Sequence, residues 1–243
     1  MSAVFAILRR ELLSYFATPL AYVFVVMFLM LSGALTFLLG QWFERGQADL
    51  IPFFGFHPWL YMFIVAAIAM RLWAEERRSG TLELLLTMPV SLGQAVLGKF
   101  LAAWLLIGGA LVLTFPMWLT VNYLGNPDNG VILAGYIGSW LLSAAFLAIG
   151  SCISAATNSQ VIAFIGSVAL GFLFVIVGFA PVVDFLHTIL GPGADALANL
   201  SFLTHFQAIA KGVLYARDVL FFVVMIAGWL LATVLVIQLK KTG

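Results

Sequence analysis

The sequence predicts an all-α integral membrane protein with six transmembrane helices in one domain, residues 1–243. Hydrophobic residues make up 64% of the chain, charged residues only 9%, and the mean hydropathy is +1.14. Soluble domains carry about 25% charged residues. The apolar residues are also gathered into separate runs of about 20, which is the length that crosses a bilayer. Composition and spacing therefore predict the same fold class.

Six apolar runs, separated by polar segments, are the predicted spans. Pro58 begins the second run, where a proline is tolerated because the first helical N–H has no partner in any case. Pro116 predicts a kink at the outer end of the third run. The spans cover approximately residues 21–40, 58–73 (or to 76), 101–119, 131–155, 161–183 and 219–239.

The positions of lysine and arginine predict that both termini are cytoplasmic. Cytoplasmic loops of membrane proteins carry an excess of these residues. With six spans and both termini inside, eight of the 11 fall in cytoplasmic segments and three in external ones. The cytoplasmic set is Arg9, Arg10, Arg71, Arg77, Arg78, Lys99, Lys240 and Lys241, and the external set is Arg45, Lys211 and Arg217.

Two further segments contain many apolar residues but are not predicted to span the membrane. Residues 3–16 combine apolar positions with Arg9, Arg10 and Glu11, which is typical of a helix lying along the membrane surface with its arginines toward lipid headgroups. No A-x-A cleavage site follows, so the first run is expected to be retained. Residues 184–217 mix scattered charge with short apolar stretches, and we expect short external helices there, partly re-entrant.

The charge of the chain is concentrated in residues 71–91, which hold six of its 21 charged residues. Gly80 is expected to end the preceding helix, because glycine adopts the left-handed conformation without a Cβ penalty. Glu83 suits the first turn of a new helix, and Pro89 stops it. Thr81 to Thr87 is therefore predicted to form a helix about 10 Å long at 1.5 Å per residue. Such a helix is too short to cross the membrane.

Several functional classes are disfavoured by the sequence. Gly93 to Lys99 follows the phosphate-loop pattern, but Phe100 stands where a Mg²⁺-binding hydroxyl is needed, so no ATPase is expected on this chain. The net charge of +1 and the lack of a basic patch exclude nucleic-acid binding. The span centres hold no carboxylate or lysine, which argues against an ion-coupled carrier.

Cysteine, histidine and small residues give weaker signals. The single Cys152 permits no intrachain disulfide. We expect His57, His187 and His205 in external positions, packed at the interface and not bound to metal. Small residues at fourfold spacing predict close helix packing within the chain. They form two ridges, one of Ala144, Ala148, Cys152 and Ala156, the other of Ala163, Ser167 and Gly171.

Residues 75–91, followed by Gly98 and Lys99, resemble the signature of ABC type-2 transporter permeases. In that family this segment forms a cytoplasmic coupling helix, which docks in a groove on a separate ATPase subunit. The family also has an N-terminal elbow helix, six spans and external re-entrant helices, which residues 1–19 and 184–217 resemble in position. The resemblance thus extends over most of the chain.

The resemblance implies an exporter permease that works with two ATPase subunits and a second permease subunit. ATP and Mg²⁺ would be bound by the ATPase, and the chain itself would hold no cofactor. The elbow would contact membrane lipid through Arg9, Arg10 and Glu11. The residues implied in ATPase coupling are Glu75, Glu76, Arg77, Gly80, Thr81, Leu82, Glu83, Leu86 and Pro89.

A narrower resemblance and one alternative function remain at this point. Leu203 to Phe206 and Arg217 to Val219 are similar to the region before the last span in gliding-motility permeases, although gliding itself does not follow from this. The second permease subunit could be the same chain or a homologue, and a homologue could carry a large external domain. The alternative is a membrane-embedded enzyme or a structural scaffold without ATP coupling, for which the sequence shows no intramembrane catalytic constellation.

Overall fold

A computed structural model describes residues 3–81, 90–191 and 193–240, with Leu190 described by its backbone alone. Within these ranges all regular secondary structure is helical, which confirms the predicted all-α class. A π-helical turn, Leu35–Leu39, continues the second helix. The helices are α1 (Ala3–Ala17), α2 (Pro19–Ala34), α3 (Ile51–Gly55), α4 (His57–Ala69), α5 (Ala74–Arg78), α6 (Leu92–Val112), α7 (Phe115–Leu124), α8 (Asn129–Ala156), α9 (Gln160–Ile176), α10 (Ala180–Leu190), α11 (Gly193–Ala198), α12 (Phe202–Ala210) and α13 (Ala216–Leu239).

Five helical stretches among the described residues are long and apolar enough to cross a membrane, and a bent pair of helices brings the number to six. The five are Pro19–Leu39, His57–Arg78, Leu92–Leu124, Asn129–Ala156 and Ala216–Leu239. The sixth candidate is α9 with α10, which is bent by 74°. The fifth predicted span therefore ends as a straight helix at Ile176, before the expected end at Val183. By itself α9 is about 25 Å long at 1.5 Å per residue.

The third span is longer than the sequence analysis expected, because α6 begins at Leu92 and not near Leu101. A capping box starts it: Ser91 Oγ accepts the N–H of Gln94 at 3.3 Å, and Gln94 Oε1 accepts the N–H of Ser91 at 3.1 Å. The predicted outer break is present between α6 and α7. Pro116 lies in the first turn of α7, the only turn that tolerates a residue without an N–H.

The long helix α8 is the centre of the bundle and packs against α4, α6, α9, α12 and α13. Its small residues permit close approach: a Cβ added at Gly150 would lie 2.4 Å from the Cβ of Ala69 on α4. Except for Ala156 at the end of α8, the small residues of both predicted ridges are buried within the chain. This burial confirms the expectation that the ridges serve intrachain packing.

Among the five candidate spans other than the bent pair of α9 and α10, the most apolar are the least buried. The two most apolar spans, which contain α2 and α13, have only 17% of their most apolar stretch buried inside the chain. The second span, which is the least apolar, is 67% buried, and α8 is 72% buried. The inner spans therefore owe their position to packing with one another, whereas the outer two present most of their apolar surface outward.

The contacts show that the connecting segments lie at two opposite ends of the bundle. One end, here called the charged end, gathers Glu11, Tyr15, Arg71, Glu75, Glu76 and Lys99. The last described residue, Lys240, also lies there, since its Nζ donates to the carbonyl of Ala156 close to the Trp73–Ser154 contact. The opposite end brings together residues 49–54, 127–132 and Ala210. Helix α1 and the C-terminal end of α13 thus lie at the same end of the bundle.

The short helices α10, α11 and α12 occupy the region where residues 184–217 were predicted to form external helices. Helix α10 begins at Ala180, four residues earlier than expected. The segment before α12 is tied to the end of α9, because Ser201 Oγ donates to the carbonyl of Phe174 at 2.9 Å. These helices therefore belong to the end of the bundle opposite the charged end.

Candidate functional site

The second span is interrupted at residues 70–73, just before the charged segment of residues 75–91 begins. This interruption, which we call the root of the segment, is held in place by α8. Ser154 Oγ accepts the backbone N–H groups of Trp73 and Ala74, both at 3.1 Å, and donates to the carbonyl of Met70 at 3.0 Å. The Trp73 indole N–H donates to Ser151 Oγ at 3.0 Å, and Trp73 is fully buried. Because one hydroxyl satisfies groups that the broken helix leaves unpaired, α5 leaves the bundle at a defined place.

The Lys99 ammonium is the centre of the site. Its Nζ lies 2.7 Å from Glu76 Oε1 and 3.3 Å from Glu11 Oε1. It also lies 5.4 Å from the ring centroid of Trp73, within the range of a cation–π contact. The Lys99 side chain is only 4% exposed. One buried cation therefore joins α1, α5 and α6.

The ion pairs at Lys99 are a requirement of its burial. An ammonium taken out of water costs several kcal/mol unless carboxylates compensate its charge. Helix α6 contains no acidic residue, so the compensating charges must come from other elements. Glu11 supplies one from α1 and Glu76 the other from α5, with side chains 16% and 19% exposed.

Helix α1 also packs directly on α6 beside this ion pair. A Cβ added at Gly98 would lie 2.8 Å from Ile7 Cγ2 and 3.1 Å from the carbonyl of Val4. Glycine at position 98 thus lets the backbone of α1 come close to α6, and Ile7 is buried in the contact. Apolar packing and charge pairing hold α1 at the same place.

A second ion pair and a tyrosine complete the charged end. Arg71 donates to both oxygens of Glu75, with Nε–Oε2 at 2.7 Å and Nη2–Oε1 at 2.9 Å. Both side chains are substantially exposed, so the pair contributes no more than about 1 kcal/mol. Burial raises the pKa of the Tyr15 phenol, and the Glu11 carboxylate adds to the rise, so Tyr15 stays neutral.

A comparison with known protein families shows the family of this chain. The sequence matches the profile of the family described as ABC-2 family transporter protein over residues 44–239. The chain belongs to the ABC-2 transporter family. This ABC-2 chain has no match among curated proteins. The family match contains Glu76 and Lys99 but begins after α1 and α2, and it does not test the narrower gliding-motility resemblance, which stays a prediction.

The residues of this ABC-2 chain predicted to couple to an ATPase divide into four groups. Glu75 and Glu76 are engaged in the ion pairs described above. Arg77 has its Nε buried without a hydrogen-bond partner among the described residues. Gly80 has φ +71°, as predicted for the glycine that ends a helix, and Thr81 Oγ1 lies 2.9 Å from Ser79 Oγ. Leu82, Glu83, Leu86 and Pro89 lie outside the described residues, with most of the predicted Thr81–Thr87 helix.

The residues predicted for the elbow of this ABC-2 chain have different surroundings. Arg9 and Arg10 are exposed on α1, and the Arg10 guanidinium contacts Glu11 Oε1 at 2.7 Å. Glu11 also points inward to Lys99. The sequence predicts a lipid-facing position on the elbow for Glu11 and only a place at the start of the third span for Lys99, so the contact between them is not predicted. The available signal was a lysine in an apolar helix without an acidic residue.

The near phosphate-loop pattern and the histidines can also be placed in this ABC-2 chain. Gly93 to Phe100 lie within the continuous helix α6, so these residues do not form a phosphate-binding loop. All three histidines have polar partners. His57 is fully buried with Nδ1 2.7 Å from Ser139 Oγ, and His205 is buried with Nδ1 2.6 Å from Asp218 Oδ1, so both correct the expectation of interfacial packing. Exposed His187 lies 3.2 Å from Asp195.

Proposed function

We propose that this chain is the permease subunit of an ABC exporter, coupled to ATP hydrolysis by a separate ATPase subunit. The observation that carries the proposal is the family match over residues 44–239. The transporter would contain two ATPase subunits, which bind ATP and Mg²⁺, and a second permease subunit that is this chain or a homologue. Its work is the export of a substrate or its extraction from the membrane, and the chain itself is not catalytic.

The charged end is the face we assign to the ATPase. The segment of residues 75–91 begins here, and the lysine and arginine distribution supports a cytoplasmic position for this end and for both termini. The chain would then be a multi-pass protein of the cell membrane, with the bacterial inner membrane as the expected compartment. Helices α10, α11 and α12 would lie on the external side.

The root of the segment supports a role in transmitting force. When ATP closes the ATPase pair, the docked segment would be pushed, and the push would reach the bundle at the root. There, Ser154 ties the second span to α8 through Trp73, and Glu76 ties it to the third span through Lys99. Since Glu76 faces inward, we assign it to the root, and we assign direct contact with the ATPase groove to the residues beyond it.

The alternative function is a membrane-embedded enzyme or a structural scaffold without ATP coupling. The parts of the chain that the structure describes contain no group of three His, Cys, Asp or Glu side chains arranged to hold a metal ion. Co-purification with an ATPase separates the two functions, because an enzyme or scaffold needs no ATPase partner.

Affinity purification tests the proposal. The chain would be tagged, expressed in its own host at native level and purified in a mild detergent with ATP and Mg²⁺. We expect an ABC ATPase subunit to co-purify, with one copy per chain if both permease subunits are this chain and two if the second is a homologue, and to hydrolyse ATP. The chain purified alone should not bind a fluorescent ATP analogue. Gly93→Ala is the control for the phosphate-loop pattern. It replaces the first glycine of that pattern without disturbing the packing, since the added Cβ would meet nothing within 4 Å. A chain that purifies without an ATPase, or that binds nucleotide alone, contradicts the proposal.

A further inference from the structure

We infer that Lys99 makes α1 and the root of the 75–91 segment move as one body, so that ATPase motion also drives the first span. The inference rests on the proposed function and adds a route that the family match, which begins after α2, does not contain. Glu11 and Lys99 are the positioning residues of this route. The evidence is the three-element ion pair, the packing of α1 on α6, and the connection from α1 to α2.

The ion pair resists separation of the three elements. The Lys99 side chain is 4% exposed, so little water reaches the ammonium to compensate for a carboxylate that moves away. If α1 shifted relative to the root, Lys99 would lose one of the two carboxylates that compensate its buried charge, and this loss costs free energy. Joint movement keeps both contacts. The exposed Arg71–Glu75 pair has no such effect, because water can solvate both groups when it opens.

Apolar packing adds to the same constraint. Ile7 lies one helical turn before Glu11 on α1, and Gly98 directly precedes Lys99 on α6. The Gly98 backbone faces Ile7 at a distance that no larger residue would allow. The contact and the ion pair thus share one face of α1, and they restrict both sliding and rotation of α1 on α6.

The connection from α1 to the first span is almost direct. Helix α1 ends at Ala17 and α2 begins at Pro19, so only Thr18 separates them. Thr18 Oγ1 donates to the carbonyl of Tyr15 at 3.1 Å, which holds the junction compact. With 17% of its most apolar stretch buried in the chain, the first span has few internal contacts that oppose movement. A displacement of α1 at the charged end is therefore passed to α2.

Distance measurements by double electron–electron resonance test the inference in the assembled complex with its ATPase. In a Cys152→Ser background, one spin label would be placed at Leu133 on α8, which is 50% exposed. The second would be at Leu13 on α1, which is 60% exposed, or at exposed Ser79 at the segment root. Each pair would be measured without nucleotide and after trapping with ATP and vanadate. We expect ATP to shift both distances.

Glu11→Gln is the decisive variant, because it removes the link to α1 and leaves Lys99 paired with Glu76. We expect loss of the ATP-dependent shift at Leu13 and retention of the shift at Ser79. Glu11→Asp keeps the charge and is expected to restore the Leu13 shift. Arg10→Gln is the matched control, since Arg10 contacts Glu11 from the exposed side, with its side chain 52% exposed, and it should retain both shifts.

Three outcomes overturn the inference, and they can be told apart. A Leu13 shift that persists in Glu11→Gln shows that the ion pair does not carry the motion. A Leu13 shift lost equally in Arg10→Gln shows that any change of charge on α1 has the same effect. If ATP does not change the Leu133–Ser79 distance in the unmodified complex, or if no ATPase assembles with the chain, the proposed function fails, and the inference fails with it.

Discussion

The hydroxyl of Ser154 accepts the backbone N–H of Trp73 at 3.1 Å, across the interface between α8 and the second span. The same oxygen serves the N–H of Ala74 and the carbonyl of Met70. A helix interrupted inside an apolar environment needs such a partner, since unpaired backbone groups there cost several kcal/mol. The contact therefore determines where the charged stretch leaves the bundle.

Ser154→Ala should destabilise the chain. It leaves backbone groups of the break buried and unpaired, with an expected cost of about 1–3 kcal/mol. The measurement is thermal unfolding of the purified protein in detergent. Ser143→Ala is the matched control on the same helix, since Ser143 Oγ donates only to the carbonyl of Trp140 at 2.7 Å. Equal unfolding temperatures for the two variants would contradict this role of Ser154.

Gly150→Ala should also destabilise the chain, by overpacking the contact between α8 and α4. The new Cβ would lie 2.4 Å from the Cβ of Ala69. An added methyl group in a closely packed core costs typically about 1–3 kcal/mol. The control is Gly33→Ala on α2, where a Cβ meets nothing within 4 Å. Thermal unfolding should separate the two, and an unchanged Gly150→Ala protein would refute the close packing.

Cysteine labelling should place the charged end in the cytoplasm. In a Cys152→Ser background, single cysteines at positions 9, 79 and 241 should resist an impermeant maleimide on intact cells. Cysteines at positions 128 and 195 should react with it. Tyr123→Cys offers an additional external site, since Tyr123 is 90% exposed near the opposite end. Labelling of position 79 from outside would invert the topology and remove the basis for ATPase docking at the charged end.

Glu83→Arg should uncouple the ATPase or weaken its docking without unfolding the permease. Glu83 lies outside the described residues, and the prediction rests on its place in the first turn of the Thr81–Thr87 helix. Loss of a favourable helix-end charge costs only about 0.3–1 kcal/mol. Reversal of a buried charge in a partner contact can cost roughly 2–5 kcal/mol in binding. The two magnitudes separate a local role of Glu83 from a role in docking.

The readouts for Glu83→Arg are thermal unfolding, co-purification of the ATPase and ATP hydrolysis by the complex. We expect normal unfolding with reduced co-purification or reduced hydrolysis. Glu44→Arg is the matched control, because it makes the same charge reversal at an exposed residue near the opposite end of the bundle, and it should leave all three readouts unchanged. A Glu83→Arg complex that assembles and hydrolyses ATP like the unmodified one would leave Glu83 as a solvated helix-start residue.

The sequence predicts most of the fold because bilayer thickness imposes a length on every apolar run. The predicted ends of the helices are less accurate where short-range polar contacts determine where a helix begins or ends. The capping box of Ser91 and Gln94 extends the third span toward the charged end, and the fifth span turns after Ile176 although apolar residues continue beyond it. Hydropathy measures how apolar a stretch is and contains no information on where a helix bends.

The candidate site is predictable only in part. The charged stretch and its Gly80 turn are local features, and sequence reasoning finds them. The contacts of Lys99 with Glu11 and Glu76 join residues from three separate helices, and no spacing rule relates them. The same holds for His57 with Ser139 and for His205 with Asp218, whose pairing depends on how the helices pack.

The opposite trends of burial and apolarity among the spans have a consequence for biosynthesis. A nascent helix enters the bilayer from the translocon according to its own apolarity. The spans that contain α2 and α13 meet that condition unaided, whereas the second span, which carries charges at one end and is the least apolar, does not meet it equally well. We expect this span to be retained until α8 emerges and covers it, so that its insertion is completed after synthesis of the fourth span.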